Sequence, residues 1–75
     1  MKKLKLCLVG AGNFARYAHG ASLNLLKEND PDLELTAVAD LDAEKAKDFA
    51  RTFNFCRAYT NWREMVETEH PDGIS

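Results

Sequence analysis

The sequence has few residues of the kinds that build metal sites, nucleic-acid surfaces or membrane spans. It has two cysteines and two histidines in 75 residues, and none of them stands at metal-ligand spacing, so no metal site is predicted. Acidic residues outnumber basic ones 12 to 10, and a net charge of −2 offers no basic surface for nucleic acid. No apolar run approaches the ~20 residues of a membrane helix. The 45% of hydrophobic residues is typical of a soluble globular domain.

The two cysteines indicate a reducing compartment. Cys7 and Cys56 each lie in an apolar segment, and we predict that both are buried, reduced thiols. The N-terminal apolar run covers residues 6–11, which is shorter than the ~7–15 residues of a signal-peptide core. We therefore expect a cytoplasmic protein.

Alternating apolar and helical patterns predict an α/β fold in βαβαβα order, followed by the start of a fourth strand. Strands are predicted at Leu4–Val9, Leu33–Ala39, 55–59 and 72–75, and helices at 12–27, Ala43–Phe53 and 62–69. Residues 6–9 of the first strand are apolar in succession, which is typical of a parallel strand buried on both faces. The pattern predicts a three-layer Rossmann-type parallel sheet, incomplete within these residues, with the first strand between the second and the fourth.

Helical periodicity predicts which side of each helix faces the core. In the first helix, two rows are predicted to face inward and Asn24 falls outside them: Phe14, Ala18, Ala21, Leu25 and Ala15, Ser22, Leu26. The second helix should begin after the N-cap Asp42, end at Asn54, and bury Ala43, Ala46, Phe49, Ala50 and Phe53. The third should follow an Asn61–Glu64 capping box, end at His70–Pro71, and bury Trp62, Met65 and Val66.

The first strand leads into the spacing G-x-G-x-x-A, formed by Gly10, Gly12 and Ala15. A glycine at Gly10 permits a tight turn out of the strand, and a glycine at Gly12 lets a pyrophosphate approach the backbone. Ala15 is small enough for the helix to pack closely on the strand. The exposed N–H groups of residues 12–14, with the helix dipole, are then predicted to bind phosphate.

An acid, Asp40, ends the second predicted strand, 28 positions after Gly12, whereas the usual separation is ~20. The long first helix and the turn at Pro31 account for the excess. At this place a carboxylate can accept hydrogen bonds from both ribose hydroxyls of adenosine, and it would repel a 2′-phosphate. Leu41 follows and no arginine stands beside Asp40, so NAD is favoured over NADP. The alternative role of Asp40, a helix cap, is better filled by Asp42.

An S-adenosylmethionine site is the main alternative, because it also uses a glycine loop and an acid after the second strand. Such a loop usually has a third glycine soon after the second and often an acid before the first. Here Asn13 and Phe14 follow Gly12, and Val9 precedes Gly10. Dinucleotide binding is therefore the preferred interpretation.

The segments VGAGNFA, LTAVADLDAEKAKDFA, AYTNWREMV and PDGIS resemble the N-terminal domain of the Gfo/Idh/MocA oxidoreductases. The resemblance implies NAD(P)-dependent hydride transfer at a carbon–oxygen bond of a sugar, a cyclitol or a related polyol. By position it implies that Asp40 binds the adenosine ribose with Leu41 beside it, and that four residues face the pyrophosphate: Gly10, Gly12, Asn13 and Phe14.

Members of that family continue beyond the region of resemblance. They add further sheet, a lysine-bearing E-K-P motif and a second domain with the substrate pocket, the catalytic groups and most of the oligomer interface. Residues 1–75 are therefore expected to be the N-terminal part of a dinucleotide-binding domain of a homo-oligomeric enzyme, with a largely unpaired edge on the first strand. No catalytic residue is assigned, since His19 shows no orienting partner. A non-catalytic nucleotide-binding or sensing module remains the alternative.

Overall fold

A computed structural model describes residues 3–10 and 14–75, without the side chains of residues 14–17 and 19. The elements are β1 (Leu4–Val9), α1 (Phe14–Asn29), β2 (Leu33–Ala39), α2 (Ala43–Phe53), β3 (Arg57–Tyr59), α3 (Trp62–Glu69) and β4 (Gly73–Ile74). The predicted order of elements is confirmed. The third strand is shorter than predicted, because the chain becomes extended and paired only at Arg57.

The four strands form one parallel sheet in the order β3-β2-β1-β4. The predicted position of β1, between β2 and β4, is confirmed. The predicted unpaired edge of β1 is wrong, because residues 72–75 bond along it. Asp72 N–H donates to Lys5 O at 2.8 Å, Ser75 N–H donates to Cys7 O at 2.9 Å, and Val9 N–H donates to Ser75 O at 3.0 Å.

Side chains alternate between the two faces of the sheet, so the core has two parts. The larger part lies against α1 and α2 and consists of Leu8, Leu23, Leu33, Leu35, Val38, Phe49, Ala50 and Phe55. The smaller lies against α3 and consists of Cys7, Ala37, Ala39 and Met65. Helices on both faces of a parallel sheet make the three predicted layers.

The two cysteines differ in their surroundings. Cys7 is fully buried, as predicted, and burial raises the pKa of its thiol. Cys56 is exposed, so its predicted burial is wrong. The reason is that β3 begins one residue later, and Cys56 belongs to the bend that precedes it.

The predicted inward face of α1 is wrong where the structure describes it. Ala18, Ala21, Ser22, Leu25 and Leu26 are exposed. The face that packs inward instead carries Gly20 and Leu23, which are buried, with Asn24 half-buried. The spacing of apolar residues does not predict this face, because two of its three residues, Gly20 and Asn24, have no hydrophobic side chain.

Gly20 lets α1 approach α2 closely. A Cβ atom at this position would lie 2.8 Å from ring atoms of both Phe49 and Phe53. Those two rings themselves pack with centroids 4.6 Å apart. One turn further along, the side-chain amide of Asn24 donates to Phe53 O at 2.7 Å. The contact between α1 and α2 therefore depends on the lack of a side chain at Gly20 and on the hydrogen bond from Asn24 to Phe53 O.

The predictions for α2 are confirmed at both ends. Asp42 Oδ1 accepts from the N–H groups of Glu44 and Lys45 at 3.0 and 3.3 Å, so the helix has the expected N-cap. Asn54 has φ 60° and ψ 40°, and its N–H donates to Ala50 O. Ala46, Phe49 and Ala50 are buried and Ala43 and Phe53 half-buried, as the periodicity predicts.

The predicted start and end of α3 are also confirmed, but one predicted core residue is not. Asn61 Oδ1 accepts from Arg63 N–H at 2.9 Å, and the helix ends at His70, with φ 50°. Met65 is buried. Trp62 is 49% exposed, and it occupies the first turn of α3, where it lines the cleft at the strand ends. The buried row continues instead to Glu69, at 4% exposure.

Glu69 is the centre of a polar group on the α3 face of the sheet, the Glu69 cluster, which comprises Lys5, Arg57, Tyr59 and Glu69. Arg57 donates from Nη2 to Glu69 Oε1 at 2.8 Å and from Nε to Oε2. Tyr59 Oη donates to Oε2 at 2.6 Å. Lys5 Nζ lies 3.9 Å from Oε1 and donates to the main-chain oxygen of Glu69. The Glu69 cluster thus ties the end of α3 to β1 and β3.

Hydrogen bonding and charge pairing within the Glu69 cluster shift the pKa values of Arg57, Tyr59 and Glu69. The hydrogen bonds from Arg57 lower the pKa of the Glu69 carboxyl below its ordinary value, and the bond from Tyr59 adds to this effect. The same carboxylate raises the pKa of the Arg57 guanidinium and of the Tyr59 hydroxyl. The buried carboxylate is therefore stabilised in its charged form by its neighbours.

Candidate functional site

A cleft of about 410 Å³ opens at the carboxyl ends of the first three strands. It is lined by Val9, Gly10, Ala39, Asp40, Leu41, Thr60 and Trp62. These residues come from the ends of β1 and β2, from the turns that follow the strands, and from the start of α3, which Trp62 opens. In open α/β sheets this edge is where ligands bind.

Gly10 forms the turn out of β1 in a conformation that favours glycine. Its φ is +85°, and its N–H donates to Ala39 O at 2.7 Å. Among the residues that the structure describes, none comes within 4 Å of a Cβ atom built on Gly10. The glycine is therefore required by the backbone angle rather than by space, as expected for the tight turn.

Asp40 leaves β2 with both its backbone and its side chain fixed. Its N–H donates to Tyr59 O at 3.0 Å, and its Oδ1 accepts from Asp42 N–H at 2.8 Å. The second bond closes an Asx turn ahead of α2. Because Asp42 supplies the helix cap itself, Asp40 orders the preceding turn and presents a half-buried carboxylate to the cleft.

Two apolar side chains project at the outer wall of the cleft. Leu41 is 95% exposed and Trp62 is 49% exposed. Both also line an adjoining cavity of about 370 Å³, with Thr60, Asn61 and Arg63. The guanidinium carbon of Arg63 lies 5.4 Å from the centre of the Trp62 ring, within the range of a cation–π contact.

Four cleft residues are not among the predicted site residues: Val9, Ala39, Thr60 and Trp62. The helical spacing of Trp62 predicts a core position. A usable signal was present, because Trp62 opens the helix that follows β3 and so must lie at the same edge as Asp40. Parallel strands bring all their carboxyl ends to one edge.

Three of the six predicted cofactor residues, Gly10, Asp40 and Leu41, meet at the cleft. Gly12 and Asn13 lie outside the described residues. Phe14 begins α1, and its side chain is likewise outside the description, as is that of His19. The contacts of all six residues with a cofactor remain predictions.

The described residues also bear on metal and membrane sites. Residues 3–10 and 14–75 contain no group of three or more His, Cys, Asp or Glu side chains that could hold a metal ion. No helix in the described part is long and apolar enough to cross a membrane. Among the described residues that line the cleft, Asp40 is the single ionisable one. Such a site can bind and orient a polar ligand.

Solved structures of NAD-binding oxidoreductases are similar to this chain. A complex of levoglucosan dehydrogenase with NADH and L-sorbose is 26% identical over 88% of this chain, with a TM-score of 0.71. An NAD binding oxidoreductase from Klebsiella pneumoniae is 27% identical over 96% of the chain, with a TM-score of 0.68. A complex of levoglucosan dehydrogenase with NADH and levoglucosan is 20% identical over 97%, with a TM-score of 0.73, which supports the fold.

The chain covers 18 to 20% of the length of those three structures. No protein with a curated description matches its sequence. The model of the Gfo/Idh/MocA oxidoreductase family, described by its NAD-binding Rossmann fold, matches residues 4–75. This match confirms the predicted family, and it confirms NAD as the cofactor of that family's fold. The chain belongs to the Gfo/Idh/MocA family of NAD-binding oxidoreductases.

Proposed function

We propose that the cleft at the ends of β1, β2 and β3 binds the adenosine half of NAD. The observation that carries this proposal is the carboxylate of Asp40, held beside the Gly10 turn at the carboxyl end of β2. A carboxylate there can accept hydrogen bonds from two ribose hydroxyls. The same carboxylate would repel the 2′-phosphate of NADP, and the site therefore favours NAD.

The fixed geometry of Asp40 supports this role. Its bond from Asp42 N–H holds the carboxylate in one orientation before a ligand arrives, and its backbone bond to Tyr59 O fixes the end of the strand. Leu41 would lie beside the ribose. The residues proposed to face the pyrophosphate are Gly10, Gly12, Asn13 and Phe14, through backbone N–H groups at the start of α1.

At the level of the whole protein, we propose hydride transfer between NAD and a sugar, a cyclitol or a related polyol. Levoglucosan dehydrogenase, whose complexes contain L-sorbose or levoglucosan, supports this substrate class. Residues 1–75 would be the N-terminal part of the cofactor domain. The substrate pocket, the catalytic groups and the contacts of a homo-oligomer would then come from elsewhere in a longer protein, and NAD bound in the cleft would supply the hydride acceptor.

Replacement of Asp40 by alanine tests the ribose contact. Hydrogen bonds to a charged group are worth about 1.5–3 kcal/mol, so Asp40→Ala should weaken NAD binding by about tenfold or more. Binding of NADP should change little, because the same substitution removes a like charge near its 2′-phosphate. The measurement is calorimetric titration of the chain with each dinucleotide, after circular dichroism has shown it to be folded.

The matched control is Asp48→Ala, which removes an exposed aspartate from α2 at a distance from the cleft. It should leave both affinities unchanged. Equal losses for NAD and NADP in Asp40→Ala would contradict the ribose role. Binding of S-adenosylmethionine in preference to either dinucleotide, by the unmodified chain, would contradict the whole proposal.

A further inference from the structure

We propose that Tyr59 is a positioning residue of the cofactor site, which fixes Asp40 at the cleft and is itself fixed by Glu69. Neither Tyr59 nor Glu69 is among the residues that line the cleft. This inference rests on the proposed binding of NAD at Asp40. It makes the preference for NAD depend on a buried carboxylate at the end of α3, outside the cleft.

The first support is the hydrogen bond that joins Tyr59 to Asp40. Asp40 N–H donates to Tyr59 O at 3.0 Å. This bond lies one residue beyond the last paired position of β2 and β3, which is formed by Ala39 and Tyr59. The main chain of Asp40 is therefore held in place by the end of β3.

The second support is the small size of β3. It has three residues and is the outermost strand at one side of the described sheet. Within the described residues it pairs with β2 alone. Segments with few hydrogen bonds open most readily. The position of Tyr59 O, and with it that of Asp40, therefore depends on what holds β3 besides β2.

The third support is the Glu69 carboxylate, which holds both ends of β3. Tyr59 Oη donates to Glu69 Oε2 at 2.6 Å, and Arg57 Nη2 donates to Oε1 at 2.8 Å. Arg57 and Tyr59 are two residues apart, so their side chains lie on the same face of the sheet. Glu69 is buried, so water has little access to these bonds. One carboxylate thus attaches the first and last residues of β3 to α3.

The fourth support is the packing of the Tyr59 side chain beneath the cleft. Tyr59 packs against the smaller part of the core, which includes Ala39 and against which Val9 also packs. Val9 and Ala39 both line the cleft. A tyrosine has two side-chain torsions, so fixing its ring and its hydroxyl leaves its main chain little freedom. Loss of the bond to Glu69 is therefore transmitted to Tyr59 O.

Tyr59→Phe removes the hydroxyl and keeps the ring, so it tests the link from Glu69 to Asp40. Calorimetric titration should show NAD binding about fivefold weaker, as expected for one lost hydrogen bond. NADP binding should stay within about twofold of that of the unmodified chain, because the proposed carboxylate contact favours NAD. In a chain that already carries Asp40→Ala, adding Tyr59→Phe should change NAD binding by less than about twofold, since the effects of coupled residues do not add. A general loss of stability would not produce this dependence on Asp40.

Leu33→Val is the matched control. Leu33 is a buried core residue at the start of β2, the end opposite the cleft. The substitution trims the core and should leave both affinities unchanged, and circular dichroism confirms that each variant is folded. Arg57→Lys loosens the other end of β3 and should show the same selective loss of NAD affinity. It provides the test if Tyr59→Phe is unfolded.

The outcomes separate this inference from the proposed function. If Asp40→Ala weakens NAD binding but Tyr59→Phe binds NAD as tightly as the unmodified chain, the positioning role is overturned and the proposed function stands. Equal losses for NAD and NADP in Tyr59→Phe, or the same loss of NAD affinity with and without the Asp40 carboxylate, would also overturn it. If the folded, unmodified chain binds no NAD, or Asp40→Ala binds it unchanged, both proposals are overturned together.

Discussion

Replacing Glu69 with glutamine should destabilise the fold by about 2 kcal/mol at neutral pH. The carboxylate accepts two hydrogen bonds from Arg57 and one from Tyr59, and its side chain is 5% exposed. Glutamine keeps one acceptor oxygen but turns an N–H₂ group toward donors. Breaking a buried ion pair costs about 3–5 kcal/mol. A loss of about 2 kcal/mol, below that range, is expected because the Arg57 side chain is 52% exposed and can hydrogen-bond to water.

Thermal unfolding followed by circular dichroism measures this loss. For a domain of this size, 2 kcal/mol corresponds to a fall in Tm of about 8–16 °C. The matched control is Glu67→Gln, which removes the same charge from an exposed position on the same helix. It should lower Tm by no more than a few degrees, since surface charges contribute about 0–1 kcal/mol.

The pH dependence provides a second readout of the same reasoning. Arg57 lowers the pKa of Glu69 in the folded state, so the carboxylate stabilises the fold above the ordinary glutamate pKa of about 4.3. That contribution is lost as the pH falls through the lower, folded-state value. The difference in Tm between the unmodified chain and Glu69→Gln should therefore narrow under acid conditions. A variant with the stability of Glu67→Gln at pH 7, or a difference independent of pH, would refute the assignment.

Two further predictions follow from the packing. Gly20→Ala should lower the free energy of unfolding by about 1 kcal/mol. The added methyl group would crowd Phe49 and Phe53, which costs about 1–3 kcal/mol and outweighs the gain of about 1 kcal/mol in helix propensity. A higher free energy of unfolding in urea for this variant would contradict the prediction. In the folded chain, a thiol reagent should label exposed Cys56 rapidly and buried Cys7 only on unfolding, since burial also raises the Cys7 pKa. Equal labelling rates counted by mass spectrometry would contradict it.

Sequence patterns predicted the parts of this fold that depend on local signals. The Asp42 cap, the Asn54 stop and the buried face of α2 follow from residues within one helix, and all three are confirmed. The limits of β1 and β2 follow from mainly apolar segments, interrupted by Lys5 in β1 and by Glu34 and Thr36 in β2. Gly10 and Asp40 could be placed at one edge of the sheet because strand order and direction follow from the alternation of elements.

The remaining features depend on contacts between distant parts of the chain. The inward side of α1 is decided by the space that Gly20 leaves for two rings of α2, and no count of apolar residues in α1 contains that information. Glu69 lies on the same helical row as Met65, but a charged residue is placed inside only when its partners are known. Trp62 fits a core row equally well, but it lies in the first turn of α3 and lines the cleft instead.

The cleft is formed by two kinds of group: hydrogen-bonded main chain at the strand ends and exposed side chains at its outer wall. The main-chain bonds from Gly10 to Ala39 and from Asp40 to Tyr59 hold the strand ends together at 2.7 and 3.0 Å. A ligand that arrives there meets an ordered backbone, so conformational entropy is lost mainly in the exposed side chains, at about 0.5–1.5 kcal/mol for each one immobilised. On the proposed function, substitutions at positions 40 and 41 would therefore alter which nucleotide is preferred, while the hydrogen-bonded strand ends would stay as they are.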